Sequence, residues 1–313
     1  MSDAHIVVLG GSGFVGRHLV GRLSASGRRV VVPTRSRERA RHLILLPTVD
    51  VIETDIHDTA RLASLVRGAA AAINLVGILN PSTRGDFGSV HVEFTRKLVT
   101  ACKDQGVTRL LHMSALHAAP NGPSLYLRSK GEAEAIVATS GLRWTIFQPS
   151  VIFGREDSFL NLFAQLQRWL PVIALACADA RFAPVFVDDV ADAFIHSLAD
   201  DATQGQRYPL CGPREYTLRQ LVAYVGELTG KKRIIVPLGP ALSGLQARVL
   251  EHLPGQLMST DNLLSMQQPS VCGCPYPSVF GGVSTALEAV VPEYLTPGAV
   301  RSRFDPARAR SGR

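Results

Sequence analysis

A glycine cluster, Gly10-Gly11-Ser12-Gly13-Phe14-Val15-Gly16, follows the apolar run 5–9 and leads into a helical stretch at 15–24. Glycines at 10, 13 and 16 let backbone N–H groups approach a bulky anion, and a helix start adds partial positive charge at the same point. Between a first strand and a first helix, this pattern demands a βαβ unit and predicts a pyrophosphate cradle. The rest of the N-terminal half keeps the same rhythm. Strands are expected at 29–32, 49–54, 71–76, 109–113 and 144–148, with helices at 60–67, 93–103 and 130–139. Such alternation implies a parallel sheet. Near-continuous apolar strands such as Ile6-Val7-Val8-Leu9 fit a sheet covered on both faces. The expected fold class is α/β, a Rossmann-type doubly wound parallel sheet with a smaller, mixed C-terminal lobe.

Beyond Phe153 the loops lengthen and prolines become frequent. The predicted division is a dinucleotide-binding domain over 1–153, its sheet continued by parts of 183–212, and a smaller lobe over 154–300 with interleaved segments. An Arg-rich tail at 301–313 reads as flexible. Within the lobe, Thr217 is a natural N-cap for a helix that Gly230 stops. A second helical stretch, 241–253, places Leu242, Leu245, Val249 and Leu253 on one stripe, expected to face the core, with a partner-docking helix as the alternative. Phe153, Phe159, Arg181, Phe182 and Tyr208 are expected to line the cleft or to serve as core and rim.

Composition removes other classes. Of the 313 residues 46% are apolar and 19% charged, which excludes disorder. No apolar run approaches the ~20 residues of a membrane helix, and Met1-Ser2-Asp3-Ala4-His5 does not read as a signal peptide. Five cysteines without metal-ligand spacing suit free thiols in a reducing compartment. The nine histidines show no paired spacing, and Ser12 has no G-x-S-x-G setting. Net charge is +7, but it is localised. The stretch 28–41 holds six arginines against one acid, Glu38, and 301–313 holds five against Asp305, leaving the body near neutral. Nucleic-acid binding is therefore not expected. The first cluster points to a ligand phosphate, the second to an acidic partner or membrane surface.

That first cluster also discriminates between cofactors. An acid after the second strand would bind the ribose 2′-hydroxyl of NAD(H). Here Thr34, Arg35 and Arg37 occupy the place, and a guanidinium pairs with a 2′-phosphate through its planar fork. NADP(H) is favoured, with NAD(H) as the alternative. Gly10, Ser12, Gly13, Phe14, Val15 and Gly16 form the expected cradle. Asp55 and Ile56, after the third strand, are expected at the adenine. Leu75, Val76 and Gly77, after the fourth, are expected where the cofactor lies against backbone.

Tyr126-Leu127-Arg128-Ser129-Lys130 is a Y-x-x-x-K opening the helix after strand five. Residues four apart share a helix face. A lysine there is expected to lower the phenol's pKa and let Tyr126 act as acid–base.

The glycine loop, this Y-x-x-x-K, the 148–154 segment Gln148-Pro149-Ser150-Val151-Ile152-Phe153-Gly154 and Val187-Asp188-Asp189-Val190-Ala191 together resemble the short-chain dehydrogenase/reductase superfamily, extended or atypical branch. Further likeness, at Tyr126–Lys130, at Pro149–Gly154 and at Leu257-Met258-Ser259-Thr260-Asp261-Asn262, is to the alpha-subcomplex subunit nine-like accessory group of respiratory complex I. The resemblance implies cofactor contacts from Tyr126, Lys130, Gln148, Pro149 and Val151, and a carbonyl-holding Ser114. It also implies a tightly held NADP(H). Two departures stand out. Ala115 occupies the place of the hydroxyl that polarises a substrate carbonyl, a donor whose loss costs on the order of 10²–10³ in rate. His91 stands where relatives carry a structural Asn and is expected to pack and hydrogen-bond. The Asp188-Asp189 pair is expected to cap a helix rather than catalyse. Two functions follow: an NADP(H)-holding accessory or assembly protein of complex I, cytoplasmic or peripheral at the inner face of the respiratory membrane, or an active NADP(H)-dependent reductase or epimerase. The sequence is silent on oligomeric state.

Overall fold

The computed structural model describes residues 4–81, 85–252 and 258–297. The chain forms two units. The first comprises Met1–Pro149, Val187–Leu210 and Tyr276–Gly282, and the second Ser150–Phe186, Cys211–Pro275 and Val283–Arg313.

The first unit is built on β1 (Ile6–Leu9), β2 (Val30–Thr34), β3 (Val49–Glu53), β4 (Ala71–Asn74), β5 (Arg109–Met113) and β6 (Arg143–Pro149), with Gln206–Leu210 as a seventh strand. All seven are parallel, in the spatial order Gln206–Leu210, β6, β5, β4, β1, β2, β3. Every residue of β1, β2, β4 and β5 is buried, as the apolar runs required. Strand order reverses between β1 and β4, where Leu9 pairs with Asn74. At such a switch point the loops leaving the strands diverge and open a crevice at their carboxyl ends. One face of the sheet packs through Val7, Leu9 and Leu110 on the helices Thr59–Val66 and Phe94–Asp104, burying Leu62, Phe94 and Leu98 completely. On the helix pair α1 (Phe14–Ala25) and Val187–Ala199, Asp188 accepts from His18 at 2.7 Å and pairs with Arg22 at 3.1 Å. Asp188 thus ties one helix to the other.

The second unit packs Phe159–Trp169 and Leu218–Leu228 around Phe153, Phe163, Phe182, Leu221 and Val225. Thr217 caps the latter helix through a reciprocal capping box with Gln220. Phe153 and Phe182 are core, Phe159 packs on it, and Arg181 is an exposed partner of Glu215. Tyr208, by contrast, stacks on Phe147 and meets Phe280 edge-on in the first unit.

Two expectations are corrected here. Cys211 and Cys272 form a disulfide across 61 residues, their Cα atoms 6.0 Å apart, so the cysteines are not all free thiols. Chain path, not local spacing, makes this pair. The stripe Leu242, Leu245 and Val249 does not face the core: each is more than half exposed, and the helix Pro240–Glu251 instead buries the small residues Ser243 and Ala247. Leu253, Leu257 and the Arg-rich tail 301–313 lie outside the described residues.

Arg109 anchors the far end of the sheet. Buried at the start of β5, its guanidinium donates to the Arg143 carbonyl and Thr145 Oγ1 at 2.8 Å, to Thr203 Oγ1 at 3.2 Å and to the Ser197 carbonyl. Burial pulls its pKa down to about 10, so it stays charged at neutral pH. Arg109→Ala strands these buried acceptors, and chemical denaturation should show a loss of about 2–4 kcal/mol.

Candidate functional site

β1 ends against the switch point, and the glycine loop turns there under tight constraint. Gly10 has φ +82°, and a Cβ on it would sit 3.0 Å from the Leu75 carbonyl carbon and oxygen. Gly16, buried in the first turn of α1, would place a Cβ 2.4 Å from the Gly10 carbonyl oxygen. The loop therefore presses against the first turn of the helix and the chain leaving β4 with no room for side chains. Gly13 is the N-cap of α1 and offers no side-chain acceptor, and no acid lies in the first turn. The opening N–H groups are thus left for an external anion. Ser12, Phe14 and Val15 are half-buried around this opening, with Phe14 edge-on to His18 at 5.8 Å.

At the end of β2, the buried Thr34 hydroxyl donates to the Ser36 carbonyl at 3.0 Å and accepts the Ser36 N–H at 3.3 Å. This turn holds Arg35 out into solvent, and among the described residues its guanidinium meets no carboxylate. Arg37 N–H donates to Glu53 at the end of β3 at 3.0 Å. Asp55 accepts the His57 N–H at 2.9 Å, which shapes the turn after β3, and Ile56 leans on the core.

The chain leaving β4 is pinned from several sides. Leu75 N–H donates to the Leu9 carbonyl and Val76 N–H to Asn74 Oδ1. Asn74 Nδ2 donates in turn to Thr95 and lies 3.1 Å from His112 Nδ1. Ile78 N–H donates to His91 Nε2 at 3.0 Å, so Nδ1 carries that ring's proton and donates to Ser129 Oγ at 2.8 Å. Ser129 then donates to the Tyr126 carbonyl at 2.8 Å. His91 sits in a π-helical turn, Gly88–Glu93, and burial beside Lys130 drives its pKa down to about 2, so it is a neutral strut. Burial and Lys130 likewise bring His112 down to about 3.

Tyr126 and Lys130 rise from the helix Leu125–Ala138, whose N-terminus Ser124 caps. Lys130 Nζ donates to the Met113 carbonyl at the end of β5 at 3.1 Å, and a Cβ on Gly77 would lie 3.1 Å from it. The ammonium therefore stands where the β4 and β5 ends meet. Burial lowers its pKa to about 8, while burial raises the Tyr126 phenol to about 12. The expected lowering of the phenol by its lysine does not occur in this structure, because loss of hydration governs the phenol and the ammonium bonds to backbone instead. Ser114 is buried just beyond β5, and its Oγ has no hydrogen-bond partner among the described residues. Ala115 is buried beside it.

Gln148, Pro149 and Val151, the other predicted contact residues, have partners within the chain. Gln148 Nε2 donates to both Glu134 oxygens, at 2.9 and 3.1 Å, in a cluster shared with Arg207. The Pro149 carbonyl accepts the Leu116 N–H at 3.0 Å. Val151 belongs to the second unit, where it packs on that unit's core. The sequence assigns no role to Ser129. Ser129 was visible inside the Y-x-x-x-K, but its link to His91 spans 38 residues and leaves no local signal.

A switch-point crevice, a side-chain-free glycine loop at a helix start and buried groups converging on the β4 and β5 ends make an arrangement with the chemistry to receive a dinucleotide. Residues 10–159 match the model of a family described as NAD(P)H-binding. The chain is 34% identical over 245 residues to NADH dehydrogenase [ubiquinone] 1 alpha subcomplex subunit 9, mitochondrial, of Mus musculus, covering 76% of this chain and 64% of that one. It is 31% identical over 229 residues to the NADH-ubiquinone oxidoreductase 40 kDa subunit, mitochondrial, of Neurospora crassa, covering 72% and 60%. The chain thus spans less than two thirds of the length of these relatives. Among solved structures, NADPH-dependent quinone oxidoreductase QOR2 from Escherichia coli superposes with TM-score 0.73 at 20% identity, covering 95% of this chain and 99% of that one. Pal from Bacillus thuringiensis superposes with TM-score 0.73 at 16% identity, covering 96% and 99%. At such identities the likeness establishes the fold.

Gly16→Ala should cost about 1–3 kcal/mol of stability through overpacking and abolish dinucleotide binding measured by tryptophan or nucleotide fluorescence. Lys130 gives a pH signature. Its folded pKa of about 8 lies below its ordinary 10.5, so the unfolded chain binds more protons in that window and stability rises with pH from 8 to 10.5. The rise should approach ~3 kcal/mol in denaturant titrations of the ligand-free protein and vanish in Lys130→Met.

Proposed function

We propose that the chain is an NADP(H)-holding accessory or assembly subunit of respiratory complex I, with the dinucleotide serving as a structural or redox-sensing ligand. The observation that carries the reading is the identity shared with complex I subunits over about three quarters of this chain. The site's chemistry supports it. Gly10, Gly13 and Gly16 admit the pyrophosphate, and Arg35, without a carboxylate partner among the described residues, supplies the charge for a 2′-phosphate. Ala115 offers no hydroxyl, and Tyr126, with a phenol held near 12, keeps its proton at neutral pH. Such residues bind and orient a ligand more readily than they turn one over. No helix among the described residues is long and apolar enough to cross a membrane.

A second reading, an NADP(H)-dependent reductase or epimerase, is favoured by one observation, the buried and unpartnered Ser114 Oγ. In that case the bound dinucleotide supplies the hydride, Ser114 holds a carbonyl, Tyr126 donates its proton and Lys130 orients the ribose. Turnover lost in Tyr126→Phe would decide for it.

Affinity purification from native membranes should recover complex I subunits; repeated absence of all of them would overturn the first reading. The purified protein should retain NADP(H) through dialysis. Arg35→Ala should weaken NADP(H) binding about 10–100-fold, the worth of a charge-assisted phosphate bond, and leave NAD(H) binding unchanged by calorimetry.

A further inference from the structure

The second unit carries a surface that its own core leaves uncovered. The strands Val172–Leu175 and Ile234–Pro237 form a parallel two-stranded ribbon, with Val172 opposite Ile234 and Ala174 opposite Val236. Ile173 and Leu175 point inward and are buried. Their alternates, Val172, Ile234 and Val236, face solvent, Ile234 at 68% exposure. Trp169, at the end of the preceding helix, is 77% exposed. The helix Pro240–Glu251 adjoins this ribbon: Gln246 Nε2 donates to the Ala174 carbonyl at 2.9 Å, and the exposed Leu242 and Val249 share its stripe.

A cationic rim borders the start of the ribbon. Arg168 stacks over Trp169 at 5.4 Å, Arg233 donates to the Gln167 carbonyl at 2.9 Å, and Lys231 and Lys232 precede it directly. The one acid paired here is Glu227, at 3.1 Å from Lys232. The chain contains only five lysines, and two of them stand together at this edge.

We propose that this face docks on a bilayer surface bearing anionic headgroups. An apolar face edged by lysine and arginine, with an indole at the border, matches both layers of such a surface: acyl chains take the apolar side chains, while the indole and the cationic heads reach the phosphates. Protein interfaces, in contrast, are depleted in lysine. The inference is independent of the complex I reading.

The test uses the full chain with the Trp144→Phe substitution, which leaves Trp169 as its only tryptophan, and protein-free vesicles of phosphatidylcholine with or without phosphatidylglycerol. Trp144 lies half-buried under Arg207, so the substitution keeps the aromatic contact. The expected result is a blue shift of Trp169 emission and co-sedimentation with the anionic vesicles only. Lys231→Gln with Lys232→Gln should weaken binding on the order of tenfold, and Ile234→Ser with Val236→Ser should remove the blue shift, with thermal unfolding verifying that each variant folds. Trp169 reports the face itself rather than the arginines of 301–313. An unshifted Trp169 on anionic vesicles at low salt, equal binding to both lipids, or indifference to the substitutions overturns the proposal. So does a Trp169 that shifts only when complex I protein is added, which assigns the face to a protein partner. Because the vesicles carry no protein, failure here leaves the complex I reading standing, and failed recovery of complex I subunits leaves this one standing.

Discussion

The rest of the site depends on one close approach, the packing of the Gly10 backbone against the Leu75 carbonyl where β1 and β4 end side by side. A methyl group at Gly10 or Gly16 would push the loop away from the chain leaving β4 or from the first turn of α1. With glycine at both places, the loop lies flat and the uncapped start of α1 opens at its edge. Pyrophosphate affinity in such a site comes from backbone geometry rather than from charged side chains, because N–H groups and helix dipole already sum to a local positive field.

Around that contact the protein has arranged buried polar groups that hold the backbone. His91 is neutral and links the turn after β4 to the helix carrying Tyr126 and Lys130. Asn74 gathers Val76 N–H, Thr95 and His112 in one knot at the end of β4. Buried polar groups of this kind cost desolvation and are retained where each finds partners. Ser114 Oγ and His112 Nε2 are the exceptions among them, each buried with no hydrogen-bond partner in the described residues. The same burial that organises the site also moves Tyr126 up and Lys130 down in pKa, which favours a phenol that stays protonated and a lysine with a weakly held proton.

Much of this was legible along the chain. The glycine spacing, the apolar strands and the Y-x-x-x-K are local patterns, and each names its own element. Arg35 at the end of β2 is local too, since its place follows from strand length alone. What stayed illegible required contact across sequence: the His91–Ser129 link, the bonding of both Gln148 and Arg207 to Glu134, and the pairing of Cys211 with Cys272. The stripe Leu242, Leu245 and Val249 misled because helical periodicity shows that a face is apolar without saying what covers it.

Sequence by itself determined the doubly wound parallel sheet and the glycine loop at the start of its first helix, because backbone freedom at glycine and the period of apolar residues are properties of short segments. Tertiary structure alone decided which titratable groups lose their water, and hence that Lys130 bonds to the Met113 carbonyl while the phenol of Tyr126 keeps its proton. It also decided that the helix Pro240–Glu251 buries Ser243 and Ala247 and turns its leucines to solvent. Desolvation and facing depend on what packs against a residue, and that is set by distant parts of the chain.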